Sequence, residues 1–246
     1  MDLDNDEAVW KGEPVAGAEG PAPVLDRKLQ LIEVCVFLSL IVPSLVLSLF
    51  AVRHGTPPFV LVAAAAILRD IALLALILFF LWRNGEPPRR IGLSAAGGWR
   101  EAVLGLVLYA PFFFSVALLG AAVRAAGFSA PTSIPSFLTP KDPAQFLLGV
   151  ILVVVVALAE ETIFRGYLIL RLRAVTGSTG AAVLLSSLIF AIGHGYEGSA
   201  GILVVFSMGA IFGLIYVWRR SLTAPMVMHF VQDFIGIILL PLFGLH

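Results

Sequence analysis

Apolar residues fill seven long stretches of this 246-residue chain, separated by short polar or proline-rich breaks. The stretches run about Leu29–Ala51, Phe59–Trp82, Ala102–Val123, Ala144–Leu168, Ser178–His194, Ala200–Trp218 and Thr223–Leu240. A membrane-crossing helix needs about 20 mostly apolar residues. The pattern therefore predicts an all-α, polytopic transmembrane bundle of about seven spanning helices. Pro111 falls inside the third and predicts a kink. Ser129–Pro143 is proline-rich and reads as an ordered loop or interfacial segment. Residues 1–28 carry seven acids among Gly, Pro and Ala, too little apolar surface to order themselves, and predict a disordered cytosolic tail. Residues 29–246 form the transmembrane domain.

Composition sharpens this picture. Hydrophobic residues make up 59% of the chain and charged ones 13%, with a mean hydropathy of +0.99. That excludes an ordinary soluble domain. Lys+Arg and Asp+Glu both number 16, and the zero net charge argues against a nucleic-acid partner. The single cysteine, Cys35, lies in the first apolar run, so there is no disulfide framework and no Cys-based metal site. Basic residues are lopsided across seven alternating spans. Lys11, Arg27, Lys28, Arg83, Arg89, Arg90, Arg100, Arg165, Arg171, Arg173, Arg219 and Arg220 fall on one side, against Arg53, Arg124 and Lys141 on the other. The positive-inside rule puts the N-terminus in the cytosol and the C-terminus outside. The compact length suggests a prokaryotic plasma membrane.

Polar residues inside such helices are costly and mark functional sites. Glu160 and Glu161 end a valine-rich run. They point about 100° apart around a helix. Glu161 and Arg165 are four apart with the acid first, the favourable order for an ion pair, so Glu161 anchors Arg165 and Glu160 is left to face the bundle. A desolvated carboxylate there makes a general base. His194 closes the fifth helix between Gly193 and Gly195. His229 and Asp233 share one face of the seventh, where the acid can fix the imidazole tautomer or both can hold one ligand. Gly209 and Gly213 form a GxxxG pair suited to close helix packing within the monomer. By the 1.5 Å rise, Glu160 lies about 24 Å along the fourth helix and His229 about 9 Å into the seventh. His194, about 24 Å from Ser178, would then fall in the opposite half. The reading that resolves this has the fourth helix continuing through Arg173 and the fifth starting in the cytosol.

These residues resemble a known family. Glu160-Glu161-x-x-x-Arg165, Phe190-x-x-x-His194 and His229-x-x-x-Asp233, with Phe206-x-x-Gly209-x-x-x-Gly213 between, look like the motif set of the CAAX prenyl protease and bacteriocin-processing family, also called Abi. The matched region is about Phe146–Phe234, within a catalytic core of about 144–240. The resemblance implies an intramembrane endopeptidase that hydrolyses a peptide bond of a membrane-associated or lipidated substrate, a prenylated CAAX-type peptide being one option. It implies that Glu160 activates the attacking water with help from His194. His229 and Asp233 would stabilise the oxyanion or hold a metal, and Arg165 would support Glu161. Family members often carry Asn where this chain has Asp233, which favours a metal-ligand or His-orienting role here. His194, His229, Asp233 and Glu160 could hold zinc or another divalent metal; a glutamate-activated water needs none.

Two other classes of function stand beside this one. A proton- or ion-coupled transporter would use Glu33, Arg69 and Asp70, which the motifs leave out; more plainly, Arg69 pairs with Glu33 or Asp70 to fix packing. A non-enzymatic partner, such as a bacteriocin-immunity or scaffold protein, would keep the fold without the chemistry.

Overall fold

The structure, a computed structural model, describes residues 26–48, 57–94, 98–131 and 135–244. The acidic tail expected over residues 1–28 lies almost wholly outside them, and the first helix already begins at Arg27. The described residues are all-helical. Helix α1 spans Arg27–Ser48, α2 Phe59–Arg83 and α3 Gly98–Ala125. Helix α4 spans Pro143–Thr176 and α5 Thr179–Ile192. Helix α6 spans Gly198–Arg219 and α7 Thr223–Leu242. Helix α3 runs on through Pro111, and the Ser129–Pro143 connection holds a short turn, Ser136–Leu138, with Phe137 buried.

Five helices among the described residues are long and apolar enough to cross a membrane: α2, α3, α4, α6 with its preceding turn, and α7. About seven spans are thus not confirmed; five meet the length and composition needed among the described residues. Helix α5 has only 14 residues, about 21 Å at 1.5 Å per residue, short of a bilayer core of about 30 Å. The outer faces of the bundle are apolar. Leu61, Leu68, Leu106, Phe114, Leu118, Leu147 and Leu214 are all exposed. A surface of that kind belongs against lipid rather than water.

Helices alternate in direction, and the hydrogen bonds at one end show it. Arg27, at the start of α1, donates to the Val175 carbonyl near the end of α4. The backbone N–H of Leu222, just before α7, donates to the Gly92 carbonyl at 3.1 Å. Arg219, at the end of α6, bonds Glu101 at the start of α3. At the opposite end the Ala200 N–H donates to the Ser129 carbonyl at 2.8 Å, and Phe137 meets the Tyr196 ring edge-on at 5.6 Å.

The first end is stapled by a buried charge network. Glu33 of α1 accepts from Arg83 and Asn84 at 2.7 Å each, and from Tyr167 and Arg171 at 3.1 Å each. Arg171, fully buried in α4, also donates to Glu86 at 3.0 Å, and Arg90 holds Glu86 at 2.7 Å. Glu33 therefore has partners in α2, α4 and the following turn, and Arg69 is not among them.

Glycine sets the closest approaches. A Cβ on Gly209 would stand 3.1 Å from Ser187 Cβ, and one on Gly213 would stand 3.0 Å from a Val183 methyl. The GxxxG pair thus packs α6 on α5 within the monomer, as the sequence suggests. A Cβ on Gly105 would stand 2.7 Å from the Ala224 carbonyl, so α3 and α7 meet backbone to backbone.

Removing one member of a buried ion pair leaves the other uncompensated, at a cost of about 3–5 kcal/mol. Arg171→Met, which takes the fully buried cation from between Glu33 and Glu86, should lower the thermal unfolding temperature in detergent markedly. Arg100→Met, at an exposed position, should leave it within a degree or two.

Candidate active site

The centre of α4 is not α-helical. Between the α-helical segments Pro143–Glu160 and Ile169–Thr176 the chain makes a π-helix over Glu161–Leu168. A second π segment, Phe234–Leu239, follows Asp233 in α7. Such irregularities gather at functional sites, and each adjoins a motif carboxylate. Hydroxyls serve the carbonyls here: Ser186 of α5 donates to Phe164 at 2.5 Å and Thr162 to Leu158 at 2.7 Å. Helix α4 does continue unbroken past Arg173 to Thr176, as the depth of His194 requires.

Glu161 is fully buried and takes the anchoring role expected of it. Its Oε1 accepts from Arg165 Nη1 at 2.9 Å and from His229 Nδ1 at 2.7 Å. Because a carboxylate only accepts, His229 Nδ1 carries hydrogen. That leaves Nε2 facing outward, 3.4 Å from Asp233 Oδ2 and 3.9 Å from Glu160 Oε2. Arg165 has a further nitrogen without a hydrogen-bond partner. Its guanidinium lies instead 4.3 Å from the centre of the Phe190 ring and 5.4 Å from that of Phe212, a cation–π cradle.

Phe190 is the hub of the aromatic packing. It meets Phe164 at 5.0 Å, His229 at 6.1 Å and His194 at 4.7 Å between ring centres. The first residue of Phe190-x-x-x-His194 thus supports both the Arg165 cation and the two imidazoles. His194 Nδ1 lies 3.1 Å from the Phe190 carbonyl. A carbonyl accepts, so that nitrogen carries hydrogen. No ion pair joins His194 to Glu160.

Glu160 faces into the bundle from the junction of the α and π segments. Its Oε1 lies 3.6 Å from Arg69 Nη2 of α2, while Oε2 has no hydrogen-bond partner. Arg69 Nε in turn donates to Asp70 Oδ1 at 2.8 Å. Arg69, Asp70 and Glu160 line one small cavity together with Ile41, Leu73, Ile163 and Phe164. Its volume is ≈ 20 Å³, room enough for water.

Five of the six expected residues thus form one connected unit: Glu160, Glu161, Arg165, His229 and Asp233. His194 stands beside it through the Phe190 ring. What the sequence reading missed is the contribution of α2. The adjacent Arg69 and Asp70 in mid-helix were signal enough for a pair, and Asp70 is the partner that Arg69 takes. Nothing in their spacing placed them beside Glu160. Tyr196, in the turn before α6, was also missed; it stacks near His194 at 5.9 Å and lies within electrostatic range of Glu160 and Asp233.

Among the described residues, no three or more His, Cys, Asp and Glu side chains are disposed as a metal-binding group. Of the expected set His194, His229, Asp233 and Glu160, ion-pair distances join His229 Nε2 to Asp233 and Glu160, and none joins His194 to them.

Comparison with known proteins follows the same residues. The family described as type II CAAX prenyl endopeptidase, Rce1-like, matches residues 142–235. The membrane-embedded CAAX protease MroQ of Staphylococcus aureus (strain USA300) is 38% identical over 81 residues, a match that covers 31% of this chain and 32% of that protein. The chain thus aligns with about a third of the length of the curated relative it matches. No solved structure matches it. The stretch 142–235 runs from the start of α4 into α7 and holds all three motifs, so the likeness to the CAAX prenyl protease family read from the sequence is borne out there.

Proposed function

We propose that this protein is an intramembrane endopeptidase that cleaves a peptide bond of a membrane-associated substrate, with Glu160 as general base. The observation that carries the reading is the placement of Glu160. It has an unpartnered carboxylate oxygen on a water-sized cavity, with His229 Nε2 3.9 Å away and Asp233 one step further. Glu161 and Arg165 are held to one another, to His229 and to the Phe190 ring, and serve as scaffold.

In the reaction a water O–H bond breaks, its proton passes to Glu160, and the oxygen attacks the scissile carbonyl carbon. The oxyanion that forms accepts from Nε2–H of His229 as the imidazolium, with hydrogen on both nitrogens, Nδ1–H held by Glu161 and Asp233 beside Nε2. The proton on Glu160 then moves to the departing amide nitrogen as the C–N bond breaks. His194 supports the site through its contact with the Phe190 ring. Should a divalent metal take part, His229, Asp233 and Glu160 would be its nearest donors and it would polarise the carbonyl.

The excess of basic residues at the end holding Arg83, Arg100 and Arg219 supports a cytosolic placement of that end. Exposed Trp82, Trp99 and Trp218 beside those arginines mark the same interface. The N-terminus is then cytosolic and the C-terminus outside. A prenylated CAAX-type peptide is one substrate; a bacteriocin leader or another membrane protein fits the same chemistry. Glu33 and Asp70, the residues on which a transport reading rested, both have arginine partners.

Glu160→Gln should reduce the turnover of membrane-tethered and prenylated peptides by about 10²–10⁴-fold, the worth of a general base. It should leave the unfolding temperature in detergent close to that of the wild type. Retained cleavage in this variant rejects the proposal. Glu161→Gln should behave oppositely in stability: stranding the buried Arg165 costs about 3–5 kcal/mol, visible as an early thermal transition.

A further inference from the structure

We propose that Arg69 and Asp70 of α2 complete the water-activating site: Asp70 and Glu160 line the cavity that takes the nucleophilic water, and Arg69, between them, positions the Glu160 carboxylate. The inference rests on the reading of Glu160 as general base and adds a helix that lies outside the matched stretch 142–235.

Three observations carry it. Asp70 is almost fully buried, 1% exposed, yet only Oδ1 is used, by Arg69; Oδ2 has no hydrogen-bond partner. An unpaired carboxylate oxygen inside an apolar bundle is costly. Glu160 Oε2 is likewise unpaired, and both side chains line the same ≈ 20 Å³ cavity. A water has two hydrogens to give, and two carboxylates lining one water-sized space can take both, which leaves its lone pairs for an incoming carbonyl. Finally, Arg69 bridges the two acids, 2.8 Å from Asp70 and 3.6 Å from Glu160.

The charges facing Glu160 come from several elements. Helix α2 presents Arg69 and Asp70; α7 presents His229, with Asp233 behind it. Arg165 acts from within α4, its charge shared with Glu161, and Tyr196 lies within range from the turn before α6. Of these, only Arg69 is both cationic and partly exposed, at 42% of its side chain, so its removal changes the balance without breaking the Glu161–Arg165–His229 core. Asp70 also touches the water and acts directly; Arg69 acts through Glu160 and is a positioning residue.

The test uses the full chain in lipid vesicles, with wild type, Arg69→Gln, Arg69→Lys, Asp70→Asn and Glu160→Gln. Asparagine keeps an oxygen for Arg69 but replaces Oδ2 by a donor. The readouts are kcat and KM for a membrane-tethered peptide, with the unfolding temperature in detergent as the control for folding. Asp70→Asn and Arg69→Gln should each lower kcat at least tenfold with KM within about twofold, and Arg69→Lys should recover most of the Arg69→Gln loss. Loss of packing alone does not produce a fall confined to kcat that lysine rescues. If Asp70→Asn and Arg69→Gln keep full kcat while Glu160→Gln is inactive, the inference is overturned and the general-base reading stands. If Glu160→Gln itself cleaves, the general-base reading is lost and the inference with it. Where Arg69→Gln does not fold, Arg69→Lys and Asp70→Asn supply the comparison.

Discussion

One carboxylate oxygen holds the site together. Oε1 of Glu161 accepts from Arg165 along its own helix and from His229 across to α7. Both donors are buried with it, so neither can turn to water for a substitute partner. The strength of charge-assisted hydrogen bonds in a low-dielectric interior fixes α4 against α7 and sets the orientation of the His229 ring. The outward direction of Nε2 follows, and with it the distances to Glu160 and Asp233.

The charges in the bundle divide into two groups with different character. Around Glu33, Glu86 and Arg171 nearly every acceptor is matched, and the network does what satisfied buried networks do: it specifies one arrangement of helix ends. Around Glu160 the accounting is left open, with unpaired oxygens on Glu160, Asp70 and Glu161. A protein tolerates such atoms where they are used. The contrast between the complete and the incomplete network supports the proposed site without reference to any motif.

Much of this was legible in the sequence. Seven apolar stretches gave seven helices with ends within a few residues of those observed, because hydrophobic length is a strong signal when no water is present to satisfy a broken backbone. How many of them are long enough to span was less legible: Thr179–Ile192 looks like a span until Gly193 ends it early. The i,i+4 spacing correctly separated Glu161, which binds Arg165, from Glu160, which faces inward. The partnership of Arg69 with Glu160 was not legible, since residues about 90 apart meet only through the packing of α2 on α4. The role of Phe190 was also hidden, because an aromatic residue in an apolar helix carries no mark of the cation stacked on it.

The π segment of α4 has a consequence for how this helix can vary. A single wider turn adds the equivalent of one residue to the helical path, so it shifts the rotational phase of everything after it by about 100° relative to what comes before. The half before it sets the azimuth of Glu160 towards α2; the half after it sets the azimuth of Tyr167 and Arg171 towards Glu33 and Glu86. Helix α4 therefore behaves as two keyed shafts joined by a coupling, each locked to its own neighbours. Sequence drift in either half can proceed without rotating the other, and a one-residue deletion within Glu161–Leu168 would close the wide turn to an ordinary α turn while both halves kept their azimuths.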